Sequence, residues 1–442
     1  MANGIIASEM LAYEGRALLA RLARVKPFMV TETMVPAAAI SPRALTAIER
    51  YLARGRRELR GRVQSYLRWL TTPAARGLSP ATLQQRFTFL RLRFNAVLTQ
   101  FDIFADVLSQ RSQLDNGLAL SGLDVFAADA LALPAGYDNP PPVICYLDKG
   151  HGAAIRRERT RLPGGGENPV AIIRVPRERM VSSGIASSLV HEVGHQAASL
   201  LDVVASLRVV LRTRHEEDGA ERAAWRYWER WISEIFADFW SVARIGVAST
   251  MGLIGVMSLP RVFVFRLTPE DPHPVPWVRV KLSCAMGRAL YPHPQWDRVE
   301  RLWESFYPRV GLAPQYRALL AGFESTMPEF VELLLTHRPA SLRGRSLAEV
   351  MDTAARGPAR LAEYYRAWGT TPARLTRIPP SLAFAVIGQA RADGRITPEE
   401  ESRTLVDLLY YWALRSTFDD ASRASARPVS KARTRALEPS LN

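Results

Sequence analysis

Cysteine and lysine are both scarce in this chain. Among its 442 residues only Cys145 and Cys284 carry thiols, and they lie far apart. A disulfide framework is thereby excluded, and so is a cysteine-rich zinc site. Long apolar runs are also missing. The best candidate, Ile245 to Pro260, has 16 residues, is fenced by Arg244 and Arg261, and contains three glycines and three polar residues. A membrane span needs roughly 20 mostly apolar residues, so this stretch reads as a buried core helix. Near Met1 to Met10 no basic segment precedes a long apolar one, and no secretory signal is read. Together these absences lead to the expectation of a cytoplasmic protein with no membrane span.

Lysine contributes four of the 58 basic residues and arginine 54, against 43 acids, for a net charge of +15. Such a balance favours acidic partners in general. The arginines are spread along the whole chain, without aromatic interleaving or a recognised nucleic-acid module. A solvated arginine-rich surface accounts for them, and no specific nucleic-acid partner is expected. A basic nucleic-acid-binding protein is kept as an alternative.

The composition is otherwise that of a globular protein, 48% hydrophobic and 23% charged, long enough for two or three domains. The pattern is mainly α with a small β-sheet, an α+β chain in four segments. Residues 1–133 read as helical. Ser41-Pro42 and Ser79-Pro80 each mark a helix start, with serine as N-cap and proline in the first turn. Phe87, Leu90, Phe94, Leu98 and Phe101 then recur at helical spacing, as a packing stripe does. Residues 134–340 open with a proline-rich joint and two short apolar runs, Val143 to Leu147 and Val170 to Val175. These read as a β-like pair, with Gly164 to Gly166 as a turn signal between them. Residues 341–421 are again helical by pattern. Residues 422–442 are basic and aperiodic, and disorder is expected there. Both flanking helical regions are candidate surfaces for protein partners.

The chemistry concentrates at His191-Glu192-Val193-Gly194-His195. On a helix, positions i and i+4 share a face, so two imidazoles there can converge on one tetrahedral metal. Glu192 can reach a water at that metal without ligating the ion. A second signal is Glu234-Ile235-Phe236-Ala237-Asp238, set among Trp231, Phe239 and Trp240. Buried carboxylates are costly unless paired or bound to a metal. Glu234 is therefore a candidate third ligand, and Asp238 a hydrogen-bond partner for a ligating histidine. The alternative is pairing of both acids with Arg230 or Arg244 on a half-exposed face.

His191-Glu-Val-Gly-His195 followed by Glu234-x-x-Ala-Asp238 resembles the gluzincin metallopeptidases. The 39 positions from His195 to Glu234 are more similar to the prenyl-protein (CAAX) endopeptidase type and its bacterial stress-protease relatives than to thermolysin-like members. The segment from Asp271 to Arg279 resembles that family's further motif, His-Pro with an arginine six residues after the histidine. The resemblance covers about Val143 to Val280. It implies a zincin-like metallopeptidase core, a Zn2+ cofactor on His191, His195 and Glu234, and a peptide or protein substrate. It also implies Glu192 as general base, His273 as a donor to the oxyanion, and Arg279 as a group that orients the oxyanion or the substrate. The substrate would lie extended along a strand edge, Val170 to Val175 being the candidate. A catalytically inactive zinc-containing scaffold is the alternative.

Near the C-terminus, Ala385 to Glu401 resembles the helix–loop–helix of tellurite-resistance TerB-like domains and half of an EF-hand. Gln389 and Arg391 stand where calcium ligands would be needed, so a joint capped by Thr397 with Pro398 and Glu400 is expected instead.

Overall fold

The computed structural model describes residues 2–26, 34–133, 136–137, 139–149, 153–163, 165–176, 182–216 and 221–425. They form a mainly helical molecule with one small sheet. Helices of eight or more residues are numbered α1 to α14 below.

Three long N-terminal helices, α1 (Ala2–Ala23), α2 (Pro42–Leu70) and α3 (Pro80–Ser109), pack on one another. Two of them start where the serines signal it: Ser41 accepts from the amide of Ala44, and Ser79 from that of Thr82. These bonds satisfy amides that have no partner within the helix. Phe87, Phe94 and Phe101 of the stripe are buried, and Leu90 and Leu98 pack beside them half-covered.

A fourth helix, α4 (Leu114–Leu131), leads into the sheet, made of β1 (Val143–Asp148), β2 (Ala154–Arg156) and β3 (Ala171–Pro176) in the order β1-β3-β2. The two apolar runs do pair, but in parallel, Val143 opposite Ala171, and β2 returns antiparallel to β3. Placing β3 in the centre overturns its reading as a free substrate edge. Its backbone is engaged on both sides, and β1 and β2 are the outer strands. The sheet separates two cores by strict alternation. Val143, Cys145 and Leu147 with Ala171, Ile173 and Val175 face the larger core, whereas Ile144 and Ile172 face the N-terminal helices.

The larger core holds α5 (Ser183–Leu201), α6 (Val203–Glu216), α7 (Arg222–Ile245), α8 (Val247–Met257), α9 (Pro276–Leu290), α10 (Gln295–Phe306) and α11 (Pro314–Thr336). It also takes in α4 and the C-terminal helices α12 (Pro358–Trp368), α13 (Pro380–Ala392) and α14 (Pro398–Ser425). Ile245 ends α7, and the apolar stretch continues after Gly246 as α8, packed against α5; no helix among the described residues is long and apolar enough to cross a membrane. Thr397 and Glu400 cap α14 reciprocally, each side chain meeting the other's backbone amide. That helix runs on through Ser425, which corrects the expectation of disorder from residue 422. The rest of the tail lies outside the described residues.

Candidate metal centre

Helices α5 and α7 carry the two motifs and pack tightly against each other. The closeness has a local cause. A β-carbon on Gly194 would lie 2.7 Å from Ala237 Cα and 3.0 Å from its carbonyl oxygen, so only glycine fits between the helices there. Glycine and alanine at the crossing bring the backbones together. His191 and Glu234, each three residues before the contact, and His195, next to Gly194, then meet.

One ligand atom from each of these three residues lies within 4.8 Å of the others. His191 Nε2 is 3.2 Å from Glu234 Oε2, and His195 Nε2 is 3.4 Å from Oε1. The two rings stand almost perpendicular, at 87°, with centroids 4.9 Å apart. Glu234 Oε2 is buried and accepts no hydrogen bond, although two imidazole nitrogens approach it. Two imidazole nitrogens and a carboxylate oxygen around one point form a donor set that can hold a divalent ion. An orphaned buried carboxylate oxygen is what such an ion would satisfy.

Asp238 lies one helical turn beyond Glu234 and supports the first ligand from behind. His191 Nδ1 is 2.8 Å from Asp238 Oδ1. A neutral His191 donating that proton leaves its Nε2 lone pair directed at the metal position. Arg279, on α9, closes the set, donating from Nε to Asp238 Oδ2 at 2.6 Å and from Nη2 to Oδ1 at 2.9 Å. Its side chain is 8% exposed. Arg279 is thereby bound to Asp238, which holds His191, a positioning contact that sequence reading did not assign to it. Neither acid is held by Arg230 or Arg244 as the alternative required. Arg244 instead donates to the carbonyl of Ala132.

The electrostatics agree with this geometry. Burial pulls the His191 imidazole down, but the charge and hydrogen bond of Asp238, with Glu234 behind, raise it to about 9. Burial pushes Glu234 up, and His191 and His195 outweigh that, holding its carboxyl well below the ordinary range. Asp238 is likewise penalised by burial, yet Arg279 and His191 bring it down to about 2. The site thus keeps two carboxylates ionised, their charge balanced in the metal-free protein by Arg279 and His191.

His273 is brought to the same place. Its side chain is half-exposed, and its Nε2 lies 3.3 Å from Glu234 Oε2. Asp271, to which sequence reasoning assigned no role, holds this ring. Its Oδ1 lies 2.8 Å from His273 Nδ1 and accepts from the His273 amide at 3.0 Å. An acidic side chain bonding to the amide two residues on is an Asx-turn, and the spacing Asp-Pro-His was its signal. Glu192 is half-buried on α5 between the ligands, where its charge is felt by Arg279. A further link was not legible in the sequence. Gln196, next to His195, accepts from the amide of Glu158, tying the chain after β2 to α5.

Comparison of the chain with protein-family models, with curated proteins and with solved structures found no match.

Proposed function

We propose that this chain is a zinc-dependent peptidase of gluzincin type, with a zincin-like core built from the sheet, α5 and α7. The observation that carries the reading is the convergence of His191, His195 and Glu234 from two helices, with a buried oxygen of Glu234 left unbonded. His191, His195 and Glu234 would hold the ion, and three protein ligands leave one position open, as catalytic zinc sites do. When bound, zinc polarises a scissile carbonyl and brings the pKa of water toward neutrality.

The chain's own residues do the rest. Glu192, one residue after a ligand and not itself a ligand, takes a proton from the attacking water and passes it to the leaving amine. His273, at the open and half-exposed side, donates to the oxygen on which negative charge develops. Asp238 and Arg279 fix the ring of His191. An extended peptide would add to the outer edge of β2 through main-chain hydrogen bonds.

The test is metal analysis of the purified protein beside His191→Ala, with peptide-library cleavage by Glu192→Gln. Stoichiometric zinc lost in the first variant, and zinc kept with cleavage abolished in the second, is the expected result. Undiminished cleavage by Glu192→Gln would refute the assigned base.

A further inference from the structure

A cavity of about 560 Å³ lies on the far side of the sheet from α5, between α3 and the strands, lined among others by Asp106, Tyr146, Arg156, Arg157, Ile172 and Arg174. It lies against one face of β2, an edge strand that also borders α5. Arg156 is paired across the sheet with Ile172, and Ala154 with Arg174, so Arg156 and Ala154 point into this groove. Ile155, between them, points the other way and packs on the core that carries α5. Glu158, two residues after Arg156, is bonded to Gln196 beside His195.

The groove is cationic. Asp106 is the acid in its lining, and Asp148 lies 3.9 Å from Arg174 Nη1 at its rim. Arg156 and Arg157 are exposed and make no ion pair among the described residues.

We infer that Arg156 and Arg157 read acidic side chains of an extended peptide laid along β2. This rests on the peptidase reading of the metal centre. Successive side chains of an added strand point to opposite faces. Every second residue of the peptide would therefore face the groove while its neighbours face the metal side. A carboxylate on the groove side meets two guanidiniums, which bind carboxylates in a fork. The substrate class is thus a peptide with Asp or Glu at alternate positions around the cleaved bond.

The experiment uses the full chain carrying Glu192→Gln, and fluorescence anisotropy with two labelled ten-residue peptides, one with Glu at every second position and one with Gln there. The Glu peptide is expected to bind about tenfold more tightly or better, a preference that weakens with salt. Replacing both arginines (Arg156→Ala with Arg157→Ala) removes the preference and leaves the Gln peptide within about twofold. The charge-reversed pair, Arg156→Glu with Arg157→Glu, turns the preference toward a Lys-substituted peptide. Equal binding of the Glu and Gln peptides, no measurable binding of the Glu peptide, or a preference that survives the alanine pair would overturn the inference. Tighter arginine-dependent binding of single-stranded DNA would overturn it in favour of nucleic acid. Cleavage separates the two readings. Wild-type protein cutting both peptides with equal kcat/KM removes the acidic specificity and keeps the peptidase. An arginine-dependent preference without cleavage of either peptide removes the peptidase and keeps the groove as an acidic-peptide site.

Discussion

Gly194 and Ala237 touch across the α5–α7 crossing so closely that a β-carbon on the glycine would sit 2.7 Å from the alanine's Cα. The contact sets the distance between the helices that carry the histidines and Glu234. Gly194→Ala should therefore act twice. Overpacking against backbone costs about 1–3 kcal/mol, because neither helix can yield as a flexible side chain would. The forced separation should also weaken metal binding by moving Glu234 from the imidazoles. Thermal unfolding and a chelator-competition titration measure the two effects. An unchanged metal affinity would show that the crossing does not set the ligand geometry.

Asp238 is the hinge between His191 and Arg279. Asp238→Asn keeps the shape but removes the charge that orients the ring and neutralises the guanidinium. Metal affinity is expected to fall about 10- to 100-fold. Stability should fall as well, since Arg279 is left buried without its counter-ion, a loss of about 3–5 kcal/mol. Zinc competition and denaturant melts read these separately.

Protons compete with the metal at His191. In the metal-free protein this imidazole is raised from 6.5 to about 9. A raised histidine stabilises the fold fully below its unfolded value, and that contribution is lost as pH climbs through about 9. The metal needs the deprotonated ring, so binding releases this proton and apparent affinity should rise about tenfold per pH unit from 6.5 up to about 9. The gap in melting temperature between metal-loaded and metal-free protein should widen over the same window. Calorimetry in buffers of different ionisation enthalpy counts the proton. A flat affinity across that window would contradict the assignment of His191 as a ligand.

Acid should act through Asp238. Its carboxyl is lowered from 3.8 to about 2, so its stabilisation is complete above the unfolded value and disappears as pH falls through about 2. Fully buried, it contributes on the order of 2 kcal/mol. The metal-free wild type should lose that margin between about pH 5 and 2, and Asp238→Asn should not, as urea melts across the range would record.

Asp271 makes its hydrogen bonds to His273. Asp271→Ala removes both bonds to that residue, at 2.8 and 3.0 Å, and touches none of the proposed ligands. Zinc content should be unchanged. Turnover of a peptide substrate should drop about tenfold in kcat with KM little altered, if the ring serves the developing oxyanion as proposed. Loss of zinc instead would mean that His273 belongs to the metal's own shell.

Much of this was legible along the chain. The serine-proline helix starts, the phenylalanine stripe of α3 and the capping pair Thr397 and Glu400 are local, each depending on residues within a turn or two. His191 and His195 are local as well, since helical spacing alone aligns them. Glu234 and Asp238 were marked by their chemistry, carboxylates set among tryptophan and phenylalanine, though which partners they meet was open. The substrate edge assigned to Val170 to Val175 was misplaced because periodicity specifies a strand's two faces and says nothing of which neighbours take its edges. The three residues of β2 were too short to signal at all.

By itself the amino-acid order determined which segments coil and which side chains fall on each helical face, because those follow from torsional preference and a repeat of 3.6 residues. Only the folded chain decided that Arg279 bonds to Asp238, that β3 lies between β1 and β2, and that Asp271 holds His273 beside Glu234. These depend on how separate elements dock, and docking is fixed by shape at contacts such as Gly194 on Ala237, which no local pattern encodes.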